Sequence, residues 1–329
     1  ITHSTKQLNM GKILFIGWDY QNYTREMVAE LGKQFFSVTY HPLHPYSTPT
    51  KIRRLVSPQW ATDVETKQQR VMVEKEKENR YDIVFCLLPF LKIENLAILK
   101  EQHREATFIL YIWDAVAGYT RKGIDMRRYF GYFDKVYTFD MHDAISYHIN
   151  YLPLFCIRKY HEIVSNYDCN DNVYMVGNLA DLRRYDAVKH FELYCAKHDI
   201  HFDYFLKSTV TKNIKILRQG GSLRNLYLSS ISNDKLSEMI RNSAAVFDFA
   251  NHVQNGFTMR LMENLCAGKK IITNNKNVLA APFYSPDRFF IYDNLDFDGV
   301  QEFLRTPLTD PEKRFEEYHL SSFVKKIIS

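Results

Sequence analysis

Short, almost wholly apolar runs alternate along the chain with segments in which apolar residues recur at helical spacing. Apolar runs without polar alternation are typical of strands buried on both faces of a parallel sheet. The alternation therefore predicts an α/β chain with doubly wound parallel sheets. In the first half, strands are predicted at 12–17, 37–40, 82–88, 106–113 and 135–139, and helices at 21–35, 58–80, 92–104, 123–132 and 141–149.

The pattern breaks over residues 151–171, which we interpret as a linker, and then restarts. Residues 41–49 contain three prolines and predict a loop. We expect two Rossmann-like domains in tandem, at 10–155 and 156–309, with a helical tail at 310–329 that crosses back to the first domain. In the second half, strands are predicted at 172–177, 201–206, 245–250, 270–273 and 289–292, and helices at 181–198, 233–242, 258–267, 297–305 and 321–329.

Composition narrows the class of protein. Of 329 residues, 46% are hydrophobic and 25% are charged, which excludes a disordered or fibrous chain. The net charge of +5 suits anionic small molecules or an anionic membrane surface, and no nucleic-acid motif accompanies it, so we expect no nucleic-acid partner. No apolar run is long enough for a membrane helix. Residues 1–9 lack the apolar core of a secretory signal, and Met10 resembles a natural start.

Cysteine spacing argues against a metal or disulfide framework. The five cysteines include no C-x-x-C pair, so we expect reduced, buried thiols in a cytoplasmic protein and no zinc site. These residues are Cys86, Cys156, Cys169, Cys195 and Cys266.

Residues 225–274 carry the most specific pattern in the chain. A Ser-rich turn, a helix and an apolar strand lead to Gly256-Phe257-Thr258; a second helix carries Glu263, and Gly268 precedes the next strand. This order resembles the donor-binding half of GT-B glycosyltransferases, in particular the group 1, or family 4-like, bacterial enzymes. The resemblance implies a nucleotide-sugar donor in the second domain, an acceptor in the first, and reaction in the cleft between them.

The donor site is expected where a helix begins near Thr258. Such a helix start offers free backbone N–H groups and a positive dipole end to a diphosphate. The resemblance implies that Glu263, exposed in the cleft, bonds the ribose hydroxyls. Cations at strand ends would stabilise the charge of the leaving diphosphate. The predicted donor-binding residues are Gly177, Arg183, Lys207, Arg218, Asn255, Gly256, Phe257, Thr258, Met259, Arg260 and Glu263.

Two positions depart from the family pattern. Asn255 stands where many retaining members have a second glutamate, and Thr258 stands where glycine is usual. The choice between retention and inversion therefore stays open. For an inverting reaction a carboxylate or an imidazole must take the proton of the acceptor hydroxyl. Asp114 and Asp19 each follow a predicted strand, and we expect Asp114 to be the base, beside the apolar wall of Trp113.

The leading hypothesis is a metal-independent glycosyltransferase that builds a bacterial surface glycan such as capsule, O-antigen or lipopolysaccharide. It would use a saccharide or lipid-linked acceptor and no cofactor, since the nucleotide-sugar is a substrate. We expect no obligatory metal ion, because no Asp-x-Asp motif in the metal-binding setting is present. The basic, aromatic stretch 121–133 and the segment 51–55 suggest peripheral contact with the inner face of an anionic membrane. The alternatives are a nucleotide-sugar epimerase of the same fold and a non-catalytic two-lobed binding protein. A dinucleotide oxidoreductase is disfavoured, because no Gly-x-Gly-x-x-Gly follows either first strand.

Overall fold

A computed structural model describes residues 10–44, 47–87, 91–121, 123–163, 171–250 and 256–329. The chain divides into two compact units. Unit 1 comprises Ile1–Leu154, Val253–Gly256 and Leu320–Ser329, and unit 2 comprises Phe155–His252 and Phe257–His319. In the described part, no helix combines the length and the apolar character that spanning a membrane requires.

Unit 1 is built on a six-stranded parallel sheet of order β2-β1-β3-β4-β5-β6. Its strands are β1 (Met10–Trp18), β2 (Phe35–Leu43), β3 (Ile83–Leu87), β4 (Thr107–Ile112), β5 (Lys135–Thr138) and β6 (Asn150–Tyr151). Its helices are α1 (Gln21–Leu31), α2 (Thr48–Val56), α3 (Pro58–Lys75), α4 (Ile93–Gln102), α5 (Val116–Thr120), α6 (Arg127–Phe130) and α7 (Met141–Tyr147).

Unit 2 repeats this architecture with a parallel sheet of order β12-β11-β10-β7-β8-β9. Its strands are β7 (Asn172–Asn178), β8 (His201–Lys207), β9 (Leu226–Tyr227), β10 (Ala245–Asp248), β11 (Lys270–Thr273) and β12 (Phe289–Ile291). Its helices are α8 (Arg158–His161), α9 (Leu182–Lys197), α10 (Val210–Arg218), α11 (Asn233–Arg241), α12 (Met259–Cys266) and α13 (Val300–Arg305). The last helix, α14 (Leu320–Ile328), belongs to unit 1, where it packs on α1.

The apolar runs of the sequence form the central strands, as predicted. Every residue of β3 and β10 is buried, which explains why these runs lack polar alternation. The core of unit 2 lies between its sheet and α9, where the rings of Phe191 and Phe247 stack with centroids 4.4 Å apart. The predicted fold class, two Rossmann-like α/β domains, is confirmed.

Side chains cap two of the helices of unit 1, α3 and α7. The Ser57 hydroxyl accepts the Trp60 N–H at 3.2 Å, with Pro58 in the first turn of α3. Asp140 caps α7 by accepting the N–H groups of His142 and Asp143. Both residues therefore satisfy backbone donors that a helix start would otherwise leave open.

The structure differs from the prediction at one strand that contains a proline and at several short helices. β2 runs to Leu43, into the predicted loop, because Pro42 lies on an edge strand and its missing N–H costs no ladder bond. α2 and α10 were not predicted, and α8 lies inside the predicted linker. The helix predicted at 123–132 is instead the short α6.

Candidate functional site

The ends of β7 and β10 form the natural ligand position of unit 2. β7 is the first strand of the sheet, with β8 on one side and β10 on the other. The chain therefore changes direction in the sheet between β7 and β10. Ligands of open α/β sheets bind at the carboxyl ends of strands at such a switch point. α9 follows β7 and α12 follows β10, so both helices begin at this edge.

Arg184, in the first turn of α9, spans this switch point. Its Nη1 donates to the carbonyl of Asn178 at the end of β7, and its Nη2 donates to the carbonyl of Phe249, just past β10, at 3.0 Å. The Nε group has no hydrogen-bond partner among the described residues. Burial lowers the pKa of the guanidinium, opposed chiefly by the charge of Asp248. A partly buried cation with an N–H group that lacks a hydrogen-bond partner among the described residues is suited to an anionic ligand.

Arg183, the arginine preferred from the sequence, points elsewhere. It is exposed and pairs with Asp181 at 2.7 Å, the residue that caps α9. Arg184 lies four residues before Val188 and seven before Phe191, which are both buried. This spacing puts Arg184 on the stripe of α9 that faces the sheet. Counting helical positions from the Asp181 cap could therefore have identified Arg184 from the sequence.

Asp248 fixes the start of α12 to the end of β10. Its Oδ1 accepts from the Thr258 hydroxyl at 3.3 Å and its Oδ2 from the Thr273 hydroxyl at 2.9 Å. The Thr258 hydroxyl also accepts the Leu261 N–H at 3.1 Å and so caps the helix. Burial raises the pKa of Asp248, opposed by these hydroxyls and by the charge of Arg184. The sequence analysis did not single out Asp248, although it ends a buried strand.

Arg260 and Glu263 form a second pair of charged groups, one turn apart on α12. Arg260 Nη1 lies 3.7 Å from Glu263 Oε2, and the Arg260 Nε and Nη1 atoms have no hydrogen-bond partner among the described residues. The neighbouring Asn264 accepts from the Tyr174 hydroxyl of β7 at 2.8 Å. This bond ties the same turn of α12 to the central strand.

Glu263 is buried, whereas we expected an exposed residue. Only 5% of it is accessible, and burial raises the pKa of its carboxyl well above the usual value. It belongs to a helix whose residues from Leu261 to Cys266 are all buried. The helix periodicity did not reveal this, because a carboxylate on a wholly buried helix is rare.

Gly177 and Lys207 lie at the same edge of the sheet. A Cβ at Gly177 would lie 3.5 Å from Arg184 Nη1, an ordinary van der Waals contact, so that guanidinium alone does not require glycine here. Lys207 ends β8, and its ammonium donates to the Ser230 hydroxyl at 2.8 Å. Arg218 is exposed at the last position of α10.

Phe257 and Met259 flank the capping residue of α12 and are partly buried. The Phe257 ring contacts that of Phe283 with centroids 4.9 Å apart. Asn255 lies outside the described residues, so its predicted position near the donor sugar stays a prediction.

Gly256 is grouped with unit 1, and its neighbours explain the glycine. Its N–H donates to Asp140 Oδ2 at 3.0 Å. A Cβ at this position would lie 2.6 Å from Phe139 Cε2. The glycine is thus required by packing within unit 1, whereas the sequence analysis explained it by the approach of a diphosphate.

Asp19 and Asp114 are exposed and follow β1 and β4 at the carboxyl edge of the unit 1 sheet. β3 lies between these strands, so their ends are about 10 Å apart, two inter-strand spacings. The two aspartates therefore follow strands of the same sheet that are not direct neighbours.

Aromatic rings cluster beside the two aspartates. Tyr20 contacts Trp18, Tyr23 and Trp113, with ring centroids 5.0, 5.5 and 6.1 Å away, and Tyr20 is 43% exposed. The predicted wall of Trp113 thus packs on tyrosines. The sequence analysis did not anticipate this aromatic cluster, because its residues come from two distant segments.

Comparisons with known proteins place this geometry in a known fold. The chain superposes on an alpha-glucosyltransferase (AGT) in complex with UDP, with a TM-score of 0.62, 11% identity and coverage of 97% of this chain and 96% of that one. It also matches the lipopolysaccharide outer core galactosyltransferase WaaB, with a TM-score of 0.55, 12% identity and coverage of 96% and 99%. A putative UDP-N-acetylglucosamine 2-epimerase from Listeria monocytogenes matches with a TM-score of 0.54, 10% identity and coverage of 96% and 94%.

No protein-family model and no curated protein matches the sequence. The structural matches span nearly the whole of both chains, so the likeness covers both units. The chain has the GT-B fold, as predicted.

Proposed function

We propose that the chain is a glycosyltransferase that binds a nucleotide-sugar in unit 2 and transfers the sugar to an acceptor bound by unit 1. The observation that carries this proposal is the pair Arg184 and Arg260. Each guanidinium has N–H groups without hydrogen-bond partners among the described residues, and each lies in the first turn of a helix at the β7–β10 switch point. A diphosphate supplies the anionic oxygens that such groups bind.

The arginines also fit the chemistry of transfer. As the glycosidic bond breaks, negative charge grows on the departing nucleoside diphosphate. Fixed cations stabilise that charge most strongly where water is scarce. Arg184 is held by two backbone carbonyls, so it need not reorganise during the reaction. Glu263, one turn beyond Arg260, is the proposed partner of the ribose hydroxyls, and Lys207 is a further cation at the same sheet edge.

We propose a UDP-sugar as the donor. The support comes from the related folds: the alpha-glucosyltransferase is described in complex with UDP and with UDP-glucose, and the epimerase acts on a UDP-sugar by its description. UDP-sugars are therefore the first ligands to test, with GDP-, dTDP-, ADP- and CMP-sugars for comparison.

The proposed acceptor is a saccharide, free or lipid-linked, in surface-glycan synthesis. The aromatic cluster of Trp18, Tyr20 and Trp113 offers apolar ring faces beside two carboxylates. Sugar rings carry apolar C–H faces and polar edges, which suits a surface of this kind. The galactosyltransferase acts on lipopolysaccharide by its description, whereas the alpha-glucosyltransferase is described with DNA. Duplex DNA therefore belongs among the acceptors tested.

Binding can be tested by the unfolding temperature of the protein in a panel of nucleotide-sugars. A ligand at about 100 times its Kd stabilises the folded state by about 2.7 kcal/mol. We expect one UDP-sugar to raise the unfolding temperature, and Arg184→Met to abolish the rise. If no nucleotide-sugar stabilises the wild type, the proposal is wrong.

The second candidate function is epimerisation of a nucleotide-sugar, which the epimerase of the same fold supports. The two activities differ in their need for an acceptor. Incubation of the stabilising donor alone, followed by NMR of the sugar, separates them. An epimerised sugar without acceptor identifies an epimerase, transfer to a saccharide identifies a glycosyltransferase, and binding without either identifies a binding protein.

We further propose that α2 contacts an anionic membrane. Ile52, Leu55 and Val56 are exposed on this helix beside Lys51 and Arg54. Basic, apolar helices bind anionic interfaces in this way. In contrast, α6 in the predicted stretch 121–133 has four residues and a buried Tyr129. In a flotation assay, the wild type should float with phosphatidylglycerol vesicles. If Leu55→Glu binds the vesicles as well as the wild type does, α2 is not the membrane contact.

A further inference from the structure

Two cysteines and a histidine that are far apart in sequence come together in unit 2. Cys156 precedes α8, Cys266 ends α12 and His319 precedes α14. One ligand atom from each residue lies within 4.8 Å of the others. Cys156 and Cys266 are fully buried, and His319 is partly buried. Spacing along the chain could not reveal this cluster, because 110 residues separate the cysteines.

Backbone hydrogen bonds hold the cluster in place. Cys156 and His319 form an isolated parallel bridge, in which the Cys156 N–H donates to the Tyr318 carbonyl at 2.9 Å. Cys266 is fixed by the last turn of α12, where the Ala267 N–H donates to the Glu263 carbonyl at 2.9 Å. The three side chains thus project from backbone that is already ordered.

The hydrogen bonding of His319 leaves one of its ring nitrogens able to bind a metal. Its Nε2 lies 2.8 Å from the carbonyl of Arg314, and a carbonyl only accepts, so Nε2 carries the proton. Nδ1 then presents its lone pair. Metal-binding histidines are characteristically fixed by a bond from the other ring nitrogen to a backbone carbonyl or carboxylate. The His161 ring stacks on His319 with centroids 3.9 Å apart and limits its rotation.

We propose that Cys156, Cys266 and His319 bind one zinc ion, which joins the first and last segments of unit 2 to α12. Two thiolates and an imidazole are a ligand set typical of zinc. Zinc–sulfur bonds of about 2.3 Å bring tetrahedral ligands to within about 4 Å of one another. The present separations need a contraction of about 1 Å or less. Water or another exogenous ligand would occupy the fourth position.

This site is separate from the proposed donor site in its residues and its role. The zinc would act by linking segments, because its ligands come from the two ends of unit 2 and from the end of α12 rather than from its start. Both thiols must lose their protons on binding, so metal uptake releases protons. Failure of the zinc proposal leaves the assignment of the donor site untouched.

Metal content of the full chain is the direct test, after removal of any affinity tag. The purified protein, incubated with excess zinc chloride and desalted, should retain about one zinc per chain by mass spectrometry of the metal. Cys156→Ser and Cys266→Ser should each lower retention at least tenfold. Cys195→Ser is the matched control, because Cys195 is a buried cysteine of the same unit outside the cluster, and it should retain zinc.

A spectroscopic test needs no substitution and so does not depend on variant folding. Cobalt(II) added to the reduced wild type should give the intense visible bands of tetrahedral cobalt and a thiolate charge-transfer band. His319→Gln should change the visible bands while the thiolate band persists. The proposal fails if the reduced wild type retains no zinc, or if it gives no thiolate charge-transfer band with cobalt(II).

Discussion

The backbone N–H of Gly256 donates to Asp140 Oδ2 at 3.0 Å, across 116 residues of sequence. The same aspartate caps α7. The Asp140 carboxylate therefore caps α7 and also binds the backbone of Gly256, the first residue of the Gly256-Phe257-Thr258 motif. A Cβ at Gly256 would meet Phe139 Cε2 at 2.6 Å and the Phe139 carbonyl at 3.1 Å.

We predict that Gly256→Ala lowers the free energy of unfolding by about 1–3 kcal/mol, the usual cost of overpacking. Denaturant unfolding of the purified variant measures this change. Gly118→Ala is the control, since a Cβ at Gly118 meets no atom within 4 Å. It should be neutral or stabilising by up to about 1 kcal/mol. Equal stability of Gly256→Ala and wild type would show that Phe139 moves aside at little cost.

A second prediction separates the two neighbouring arginines of α9. Arg184→Met should weaken binding of the stabilising nucleotide-sugar by about 10- to 100-fold, because a hydrogen bond to a charged group contributes about 1.5–3 kcal/mol. Arg183→Met should change the Kd by less than about threefold, since its guanidinium is exposed and pairs with Asp181. Calorimetric titration at low temperature measures both.

Arg241→Met serves as the control for this pair, because Arg241 is an exposed arginine in the last turn of α11. If Arg183→Met weakens binding and Arg184→Met does not, the assignment from sequence is right and the one from geometry is wrong. Arg184→Lys adds a further test, since lysine keeps the charge but loses the planar fork that bonds two carbonyls.

The sequence predicts the fold far better than the charged side chains of the site. The apolar runs identify β3 and β10 because both faces of those strands are buried. Whether an arginine faces the sheet or the solvent depends on helix register, and one residue separates Arg183 from Arg184. The burial of Glu263 depends on what covers α12, which local periodicity does not contain. Likewise, the motif that contains Gly256 can be recognised from a short stretch of sequence. Phe139, which packs against Gly256, is far away in the sequence.

The third prediction concerns the pH dependence of stability. Burial raises the pKa of Glu263 above its ordinary value of 4.5. As the pH rises above that value, the unfolded state loses its proton first, so the free energy of unfolding falls until the folded-state pKa is passed. Arg260 opposes the shift, but it is 26% exposed and its Nη1 is 3.7 Å away. We therefore expect the pKa of the Glu263 carboxyl to be raised in the folded state.

Glu263→Gln should remove this loss, so its stability relative to wild type should grow as the pH rises above about 4.5. Denaturant unfolding of both proteins at several pH values measures the difference. Glu238→Gln, at an exposed position of α11, should follow the wild-type profile. Parallel profiles for wild type and Glu263→Gln would mean that the Glu263 carboxyl has an ordinary pKa in the folded state.

Fourth, transfer should need no added magnesium or manganese, because Arg184 and Arg260 provide the positive charge at the diphosphate. In a short assay, EDTA should leave the turnover number unchanged. Zinc content is measured before and after, so that loss of a structural ion is recognised separately. Activity lost in EDTA at constant zinc content and restored by manganese would overturn this expectation.

The final prediction concerns the acceptor side, where Asp19 and Asp114 follow β1 and β4 at the carboxyl edge of one sheet. A general base must reach the acceptor hydroxyl at hydrogen-bond distance. Both are exposed, so burial does not choose between them. Asp19 adjoins the aromatic cluster through Trp18 and Tyr20, and Asp114 adjoins it through Trp113, so the cluster does not choose between them either. Asp114 stays the base that we predict from the sequence.

Asp114→Asn should lower the turnover number by about 100-fold or more, the usual contribution of a general base, while the Kd for the donor stays near wild type. Steady-state kinetics with a saccharide acceptor, paired with donor titration, measures both quantities. Asp19→Asn is the matched variant, because it makes the same change at the same sheet edge. If only Asp19→Asn loses turnover, Asp19 is the base. If neither variant loses it, an inverting mechanism with Asp114 or Asp19 as the base is wrong, and a retaining mechanism, which needs no such base, becomes the expectation.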